Sequence, residues 1–420
     1  MPVSPARKAA ITLLDQVLIQ GRPLRETNLF APLTGAERAR AMRLAAETLR
    51  GLERADRLLA PHLRKTPAVP VHNILRLGAY ELAMGSAAHG VVGDLVEIAS
   101  MRKVTASSKG LVNAVLRKLV ETAPMGWTKG RFPRMNSWLR APLIEAWGSQ
   151  AVANMERVHF EGALLDITVK NDPATWADRL GGVLMPTGSV RLKEAGQVTA
   201  LPGYDSGEWW VQDMAASLPV QLLGDVAGAE VLDICAAPGG KTMQLAARGA
   251  HVTALDISEA RLVRLRENLA RTKLEARIVA GDALEHEGRY DAVLLDAPCS
   301  ATGTIRRHPD LPHIHQGERI DELITLQGEM LRHAVGLLKP GGKLVFATCS
   351  LLPDEGECHM DALRETHPDM QIMTPDLPWI DPLWHSSEGG LRLRPDFLAA
   401  QGGMDGFYMA LLKAKSHGSA

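Results

Sequence analysis

Two cysteines stand where chemistry gathers in α/β proteins. Cys299 follows the run Tyr290-Asp291-Ala292-Val293-Leu294-Leu295-Asp296-Ala297-Pro298, and Cys349 follows Lys343-Leu344-Val345-Phe346-Ala347-Thr348. Each run is apolar and strand-like and ends in a small polar loop. In an open α/β sheet, ligands and reacting groups collect at the carboxyl ends of the strands. Two thiols there suggest covalent catalysis, one sulfur to attack and one to help release. A free thiol of pKa ~8.5 is only a few per cent ionised near neutral pH, so such a site must favour the thiolate or deprotonate it on demand.

A second group of residues precedes them. The first strand of the same region runs into Cys235-Ala236-Ala237-Pro238-Gly239-Gly240-Lys241-Thr242. A phosphate-binding Walker loop needs glycine at the position of Cys235, and the three spaced glycines of a dinucleotide site are also missing. Small residues and paired glycines still let backbone approach a ligand at a helix start. Asp256 ends the next strand, where an acid commonly binds ribose hydroxyls. Asp282 follows the third strand, placed to accept from an adenine amino group. A nucleoside without phosphates fits this set, which points to S-adenosylmethionine as the cofactor.

These residues need a sheet to hold them. From Ala227 onward, strand-like runs at 230–235, 251–256, 277–280, 290–296 and 343–348 alternate with helical runs at 258–272 and 320–338. That alternation predicts a Rossmann-like α/β domain over 216–415 with a mainly parallel sheet. Residues 406–412 add a further strand, expected at an antiparallel edge. Residues 1–122 read as short helices; Ile11, Leu14 and Leu18, and again Leu75, Ala79 and Leu82, mark single helix faces. This is a separate all-α domain. The Pro/Gly-rich stretch 123–135 reads as a linker or an ordered strap. Residues 136–215 read as a small mixed α/β subdomain. Six of the eight tryptophans fall within 127–210 and are either core or a platform for stacking bases.

Composition narrows the setting. Hydrophobic content of 46% and charged content of 23% are those of an ordinary soluble protein, and no apolar run is long enough to span a membrane. The N-terminus lacks a signal-peptide pattern, so the cytoplasm is the expected compartment. The net charge of −1 hides an asymmetry. Residues 1–120 hold 18 Lys and Arg against 9 Asp and Glu, while the remainder hold 29 against 39. A basic module on an acidic body suits a polyanion such as RNA, or is simply a solvated helical surface. The four cysteines show no paired zinc spacing, and Cys358 reads as a small buried hydrophobe. His313 and His315 lack a third ligand, so no metal is expected. Nothing suggests a coiled coil, and a monomer is the default.

Residues 231–242, 291–310 and 341–352 resemble the signatures of the Sun/Fmu family of RNA cytosine-5 methyltransferases. The match rests on the Cys235–Lys241, Asp296–Ser300 and Thr348–Ser350 loops and on Thr302-Gly303-Thr304-Ile305-Arg306-Arg307-His308-Pro309-Asp310. Residues 1–120 resemble a NusB-like RNA-binding domain, best at Gly110–Lys118. That pairing is found in bacterial methyltransferases of 16S rRNA. The resemblance implies attack by Cys349 on carbon 6 of cytosine and a part for Cys299 in breaking the adduct. It further implies that Asp296 hydrogen-bonds nitrogen 3 of the base and lies beside the methionine part of the cofactor. Lys241 is expected to position cofactor or base. A tRNA or another rRNA site is an alternative substrate, and a non-catalytic assembly factor an alternative role. The sequence departs from the family pattern in two places. Leu311-Pro312-His313-Ile314-His315 replaces a basic residue and Trp, and Gly356 stands where Asn is usual, which should affect the following helix start more than the chemistry.

Overall fold

The computed structural model describes residues 3–25, 33–194, 196–314 and 316–415. It divides into two compact units, Met1–Gly162 with Ile305–Gly317, and Ala163–Thr304 with Glu318–Ala420.

The first unit is helical: α1 (Pro5–Gln20), α2 (Gly35–Arg50), α3 (Leu52–Leu59), α4 (Val69–Ala83), α5 (Ala88–Met101), α6 (Lys109–Leu119), α7 (Ala123–Lys129), α8 (Ser137–Trp147), α9 (Ser149–Glu161) and the short α14 (Leu311–Ile314). Local signals set the ends. The Ser4 hydroxyl accepts from Arg7 N and Pro5 opens α1, while Thr34 and Glu37 form a reciprocal capping box on α2. Ile11, Leu14, Leu75, Ala79 and Leu82 all face one shared core. Inside it Arg7 pairs with Glu81 and Asp94, each at 2.7 Å.

The structure corrects the expected boundaries. Residues 123–129 form a helix, because Trp127 is 6% exposed within the same core and meets Tyr80 edge-on at 5.8 Å. Helices α8 and α9 also belong to this unit rather than to the small subdomain. Phe160 packs against the helical core, and the Glu156 carboxylate accepts from Met135 N and Arg140.

The second unit begins with a four-stranded antiparallel sheet. Its strands are β1 (Leu165–Val169), β2 (Val183–Leu184), β3 (Val190–Leu192) and β4 (Trp209–Val211), in the order β2-β3-β1-β4, beside α10 (Pro173–Leu180). Trp209 and Trp210 are almost fully buried and Trp176 packs beside Trp209, so these tryptophans are core rather than a stacking platform. Arg191 and Asp166, both buried, form a two-point ion pair at 2.7 Å. Arg191→Leu would strand the Asp166 carboxylate away from water, and we expect a loss of about 3–5 kcal/mol in chemical denaturation.

The large sheet carries β5 (Glu230–Ile234), β6 (His251–Asp256), β7 (Arg277–Ala280), β8 (Tyr290–Asp296), β9 (Leu338–Thr348), β10 (Met370–Met373), β11 (Leu391–Leu393) and β12 (Phe407–Ala414). The order is β10-β12-β9-β8-β5-β6-β7, with β11 also on β12. The five strands from β9 to β7 are parallel. Strand β12 is antiparallel to β9 but is not an edge, because β10 and β11 pair with it on its far side. Those short strands carry too few residues to show periodicity. The helices of this unit are α11 (Met214–Leu222), α12 (Gly240–Ala247), α13 (Glu259–Thr272), α15 (Ile320–Gly336) and α16 (Glu357–Thr366). The strand order reverses between β5 and β8, the switch point where open α/β sheets bind ligands. Among the described residues no helix is long and apolar enough to cross a membrane.

Candidate active site

The loop after β5 turns sharply because Cys235 has φ 62 and Gly239 φ 103. The glycine takes that conformation freely; the cysteine is held in it by its neighbours. Ala236 N donates to Leu255 O on β6 at 3.0 Å. The Asp256 carboxylate, 2% exposed, accepts from Ala237 N at 3.1 Å and Ser258 N at 2.9 Å and pairs with Arg261 at 3.4 Å. Asp256 therefore braces the loop, and each carboxylate oxygen can accept twice, which leaves it capacity for a ribose hydroxyl. Asp282, beyond the end of β7, accepts from Leu284 N at 2.9 Å. The acids thus follow neighbouring strands in order, as a nucleoside-binding row requires.

Lys241, in the first turn of α12, donates to Asp296 Oδ2 at 2.6 Å and lies 5.4 Å from the centre of the Phe407 ring. Burial disfavours its charge, but Asp296, Asp233 and Cys349 outweigh that and raise its pKa. The ion pair ties the loop after β5 to the end of β8. Burial, with Asp296 and Asp256 adding, pushes the Cys235 thiol up to about 12 and so disfavours its thiolate.

Cys299 and Cys349 leave the adjacent strands β8 and β9, and their sulfurs are 3.4 Å apart. The hydrogen bond to Cys349 is the main reason the Cys299 thiol is held well above its ordinary range; burial and the charges of Cys349 and Glu355 add to it. Cys358, expected to be buried, is exposed, because α16 turns His359, Met360 and Leu363 inward instead. Gly356 caps that helix without a side-chain bond, and a Cβ there would lie 2.6 Å from the Tyr408 ring.

The Thr302–Asp310 motif passes from the second unit into the first after Thr304. In the first unit Asp310 accepts from Leu24 N at 2.9 Å, and Arg50 donates to Arg306 O at 2.8 Å. His313 is half-buried, and desolvation lowers its pKa to about 4; His315 lies outside the described residues. No group of three or more potential metal ligands occurs among the described residues.

Three polar residues of the site escaped sequence reasoning. Arg261 sits in the first turn of a helix, where the macrodipole disfavours a cation, and that misplacement was a signal. Glu355 lay unremarked between Cys349 and the next helix. Asp233 interrupts the apolar run of β5. Its carboxyl is completely buried, with Oδ2 taking the Thr242 hydroxyl at 2.6 Å and Oδ1 lacking a partner. Burial pushes it from 3.8 up to about 7, against the opposing effects of Thr242 and Lys241. Between those values the folded protein keeps a proton that the unfolded chain has released, so this group makes stability fall as pH rises through that window. Asp233→Asn is expected to flatten the slope, read from urea midpoints at about pH 5 and about pH 8.

A Rossmann-like sheet with acids after the successive strands beside its switch point has the fold of S-adenosylmethionine-type methyltransferases. Comparison makes this specific. A family model described as 16S rRNA methyltransferase RsmB/F matches residues 220–413, and one described as NusB family matches residues 4–121. Ribosomal RNA small subunit methyltransferase B of Yersinia pseudotuberculosis (strain IP 31758) is 34% identical over 400 residues, covering 87% of this chain and 91% of its own. The crystal structure of PH0851 superposes with a TM-score of 0.76 at 21% identity, over 98% of this chain and 99% of that one. A methyltransferase homolog from Pyrococcus horikoshii gives 0.54 at 26% identity, over 65% of this chain and 93% of its own. The chain belongs to the RsmB/F family and carries a NusB-family domain; it is an S-adenosylmethionine-dependent RNA methyltransferase.

Proposed function

We propose that this protein methylates carbon 5 of a cytosine in 16S rRNA, in the cytoplasm, through a covalent Cys349 adduct released with help from Cys299. The observation that carries the reading is the 3.4 Å separation of the two sulfurs at adjoining strand ends. Bound S-adenosylmethionine would supply an electrophilic methyl group. Its nucleoside fits Cys235–Lys241, Asp256 and Asp282, and Asp296 would lie beside its methionine part.

Carbon 5 of cytosine is too weak a nucleophile to take a methyl group unaided. The Cys349 thiolate adds to carbon 6, and the electron pair displaced from the 5,6 double bond makes carbon 5 nucleophilic. Asp296, placed by Lys241, and nitrogen 3 are both acceptors, so a proton taken up from solvent bridges them as negative charge develops on the ring. After methyl transfer, carbon 5 carries a proton that must leave. Cys299 takes it, the double bond re-forms, and the sulfur of Cys349 is expelled.

The coupling between the thiols orders these roles. While Cys349 carries the charge, Cys299 is held protonated. Once Cys349 is bonded to carbon 6, its charge no longer opposes ionisation of Cys299, which releases its own proton to solvent and as the thiolate accepts the one from carbon 5.

The test is a denaturing gel of protein incubated with unmethylated 16S rRNA and S-adenosylmethionine. An RNA adduct that accumulates in Cys299→Ala and is absent from Cys349→Ala supports the assignment. The reverse pattern would exchange the roles, and no adduct in any lane would remove the support for this RNA as substrate.

A further inference from the structure

The two cysteine loops share one buried anchor. Glu355 is fully buried at the end of a single 3-10 turn, Pro353–Glu355. Its Oε1 accepts from Ser300 N at 2.8 Å and from Gln327 Nε2 at 3.0 Å. Its Oε2 accepts from the hydroxyls of Ser300 and Ser350, each at 2.5 Å. A carboxylate offers about four acceptor sites, and these four donors fill them. Two belong to the residue after Cys299, one to the residue after Cys349, and one to α15. Gln327 is oriented in turn by His359 at 2.9 Å, and its amide also donates to Pro298 O at 2.8 Å. The Glu355 carbonyl accepts from Thr348 Oγ1, just before Cys349, at 2.8 Å.

The sheet alone does not set the distance between the sulfurs. Pairing of β8 with β9 ends at Asp296 and Ala347, so both cysteines lie beyond the ladder. Past that point the loops are joined by Gly303 N donating to Cys349 O at 2.9 Å, by the Ser300, Thr302 and Ser350 hydroxyl cluster, and by Glu355. Of these, only Glu355 grips both loops and the covering helix at once. A buried carboxylate held by four neutral donors is costly to place. Replacing it with an apolar residue would leave Ser300 N and one N–H of the Gln327 amide without their acceptor, and the Ser300 and Ser350 hydroxyls with only each other and Thr302.

We propose that Glu355 is a positioning residue that clamps the Cys299 and Cys349 loops together at the spacing a two-thiol reaction uses. It touches neither base nor cofactor in this role and acts through Ser300 and Ser350. The proposal rests on the two-thiol reading above, yet the clamp can be measured without RNA or cofactor.

The probe is phenylarsine oxide, whose arsenic bonds two neighbouring thiols with loss of one water. Wild type is expected to bind one equivalent that resists displacement by excess monothiol, and Cys299→Ser to lose that binding, which sets the background from Cys235 and Cys358. Glu355→Ala is expected to weaken the bridged form at least about tenfold. Glu355→Gln, which keeps the shape and one acceptor, should recover part of it and serves alone if the alanine variant does not fold. In Glu355→Gln, kcat should fall with KM for both substrates little changed. Bridging equal to wild type in the folded Glu355 variants would overturn the clamp whatever the adduct gel shows. Lost bridging together with a failed gel would retain the clamp and remove the two-thiol chemistry.

Discussion

With Cys299 replaced by alanine, methyl transfer is expected to run once per enzyme and stop. On the proposed mechanism Cys349 is still there to attack, so methylation proceeds, but carbon 5 keeps its proton and Cys349 stays bonded to carbon 6. A rapid-quench time course with labelled methyl donor should show a burst close to one equivalent followed by a slow phase. Cys349→Ala should transfer nothing measurable, with activity below about one ten-thousandth of wild type, as removal of a catalytic nucleophile generally gives. The contrast is informative because the two sulfurs are only 3.4 Å apart. A shared structural role would depress both variants alike. Steady turnover in Cys299→Ala would show that another base removes the proton.

Gly303→Ala is expected to damage both stability and turnover. Gly303 and Gly406 exchange backbone hydrogen bonds with their surroundings at close quarters: Gly406 N donates to Gly303 O at 2.8 Å, and Gly303 N donates to Cys349 O at 2.9 Å. A Cβ on residue 303 would sit 2.0 Å from Gly406 O and 2.6 Å from its carbonyl carbon. Backbone cannot swing aside as a side chain can, so the turn at 302–304 must move. The penalty should lie at the upper end for overpacking, about 3 kcal/mol. Because the same turn holds the Cys349 carbonyl, activity should fall beyond what the unfolded fraction explains. Denaturant midpoints and kcat measured on the folded protein check the two effects separately. An unchanged midpoint would show that the approach of residues 303 and 406 is looser than described.

Much of the catalytic fold was legible because its signals are local. Strands at 251–256 and 290–296 lie where their apolar runs place them, since a strand buried on both faces must be apolar along its length, and the edge strand 277–280 lies where its short β-branched run places it. Helix α13 begins after Ser258, whose hydroxyl accepts from Arg261 N, a start that an N-capping residue announces. The glycine-rich loop, the acids after successive strands and the two cysteines were readable for the same reason: each sits at a fixed place relative to a strand end. The unit boundaries were not. Trp127 and Phe160 join the helical core through packing between segments far apart in sequence, and Ile305–Gly317 joins the first unit from within the second.

By itself, then, the sequence determined the class of fold, the order of the elements and which side chains stand at the strand ends, because periodicity, capping and turn chemistry act over a few residues. Tertiary structure decided the rest. It brought sulfurs 50 positions apart to 3.4 Å, paired Lys241 with Asp296 and buried Asp233, pushing its carboxyl up to about 7. It also made Glu355, which the sequence does not single out, the shared acceptor of both cysteine loops. Distances, burial and the electrostatic coupling that follows from them depend on which distant segments meet, and strand pairing and core packing set that.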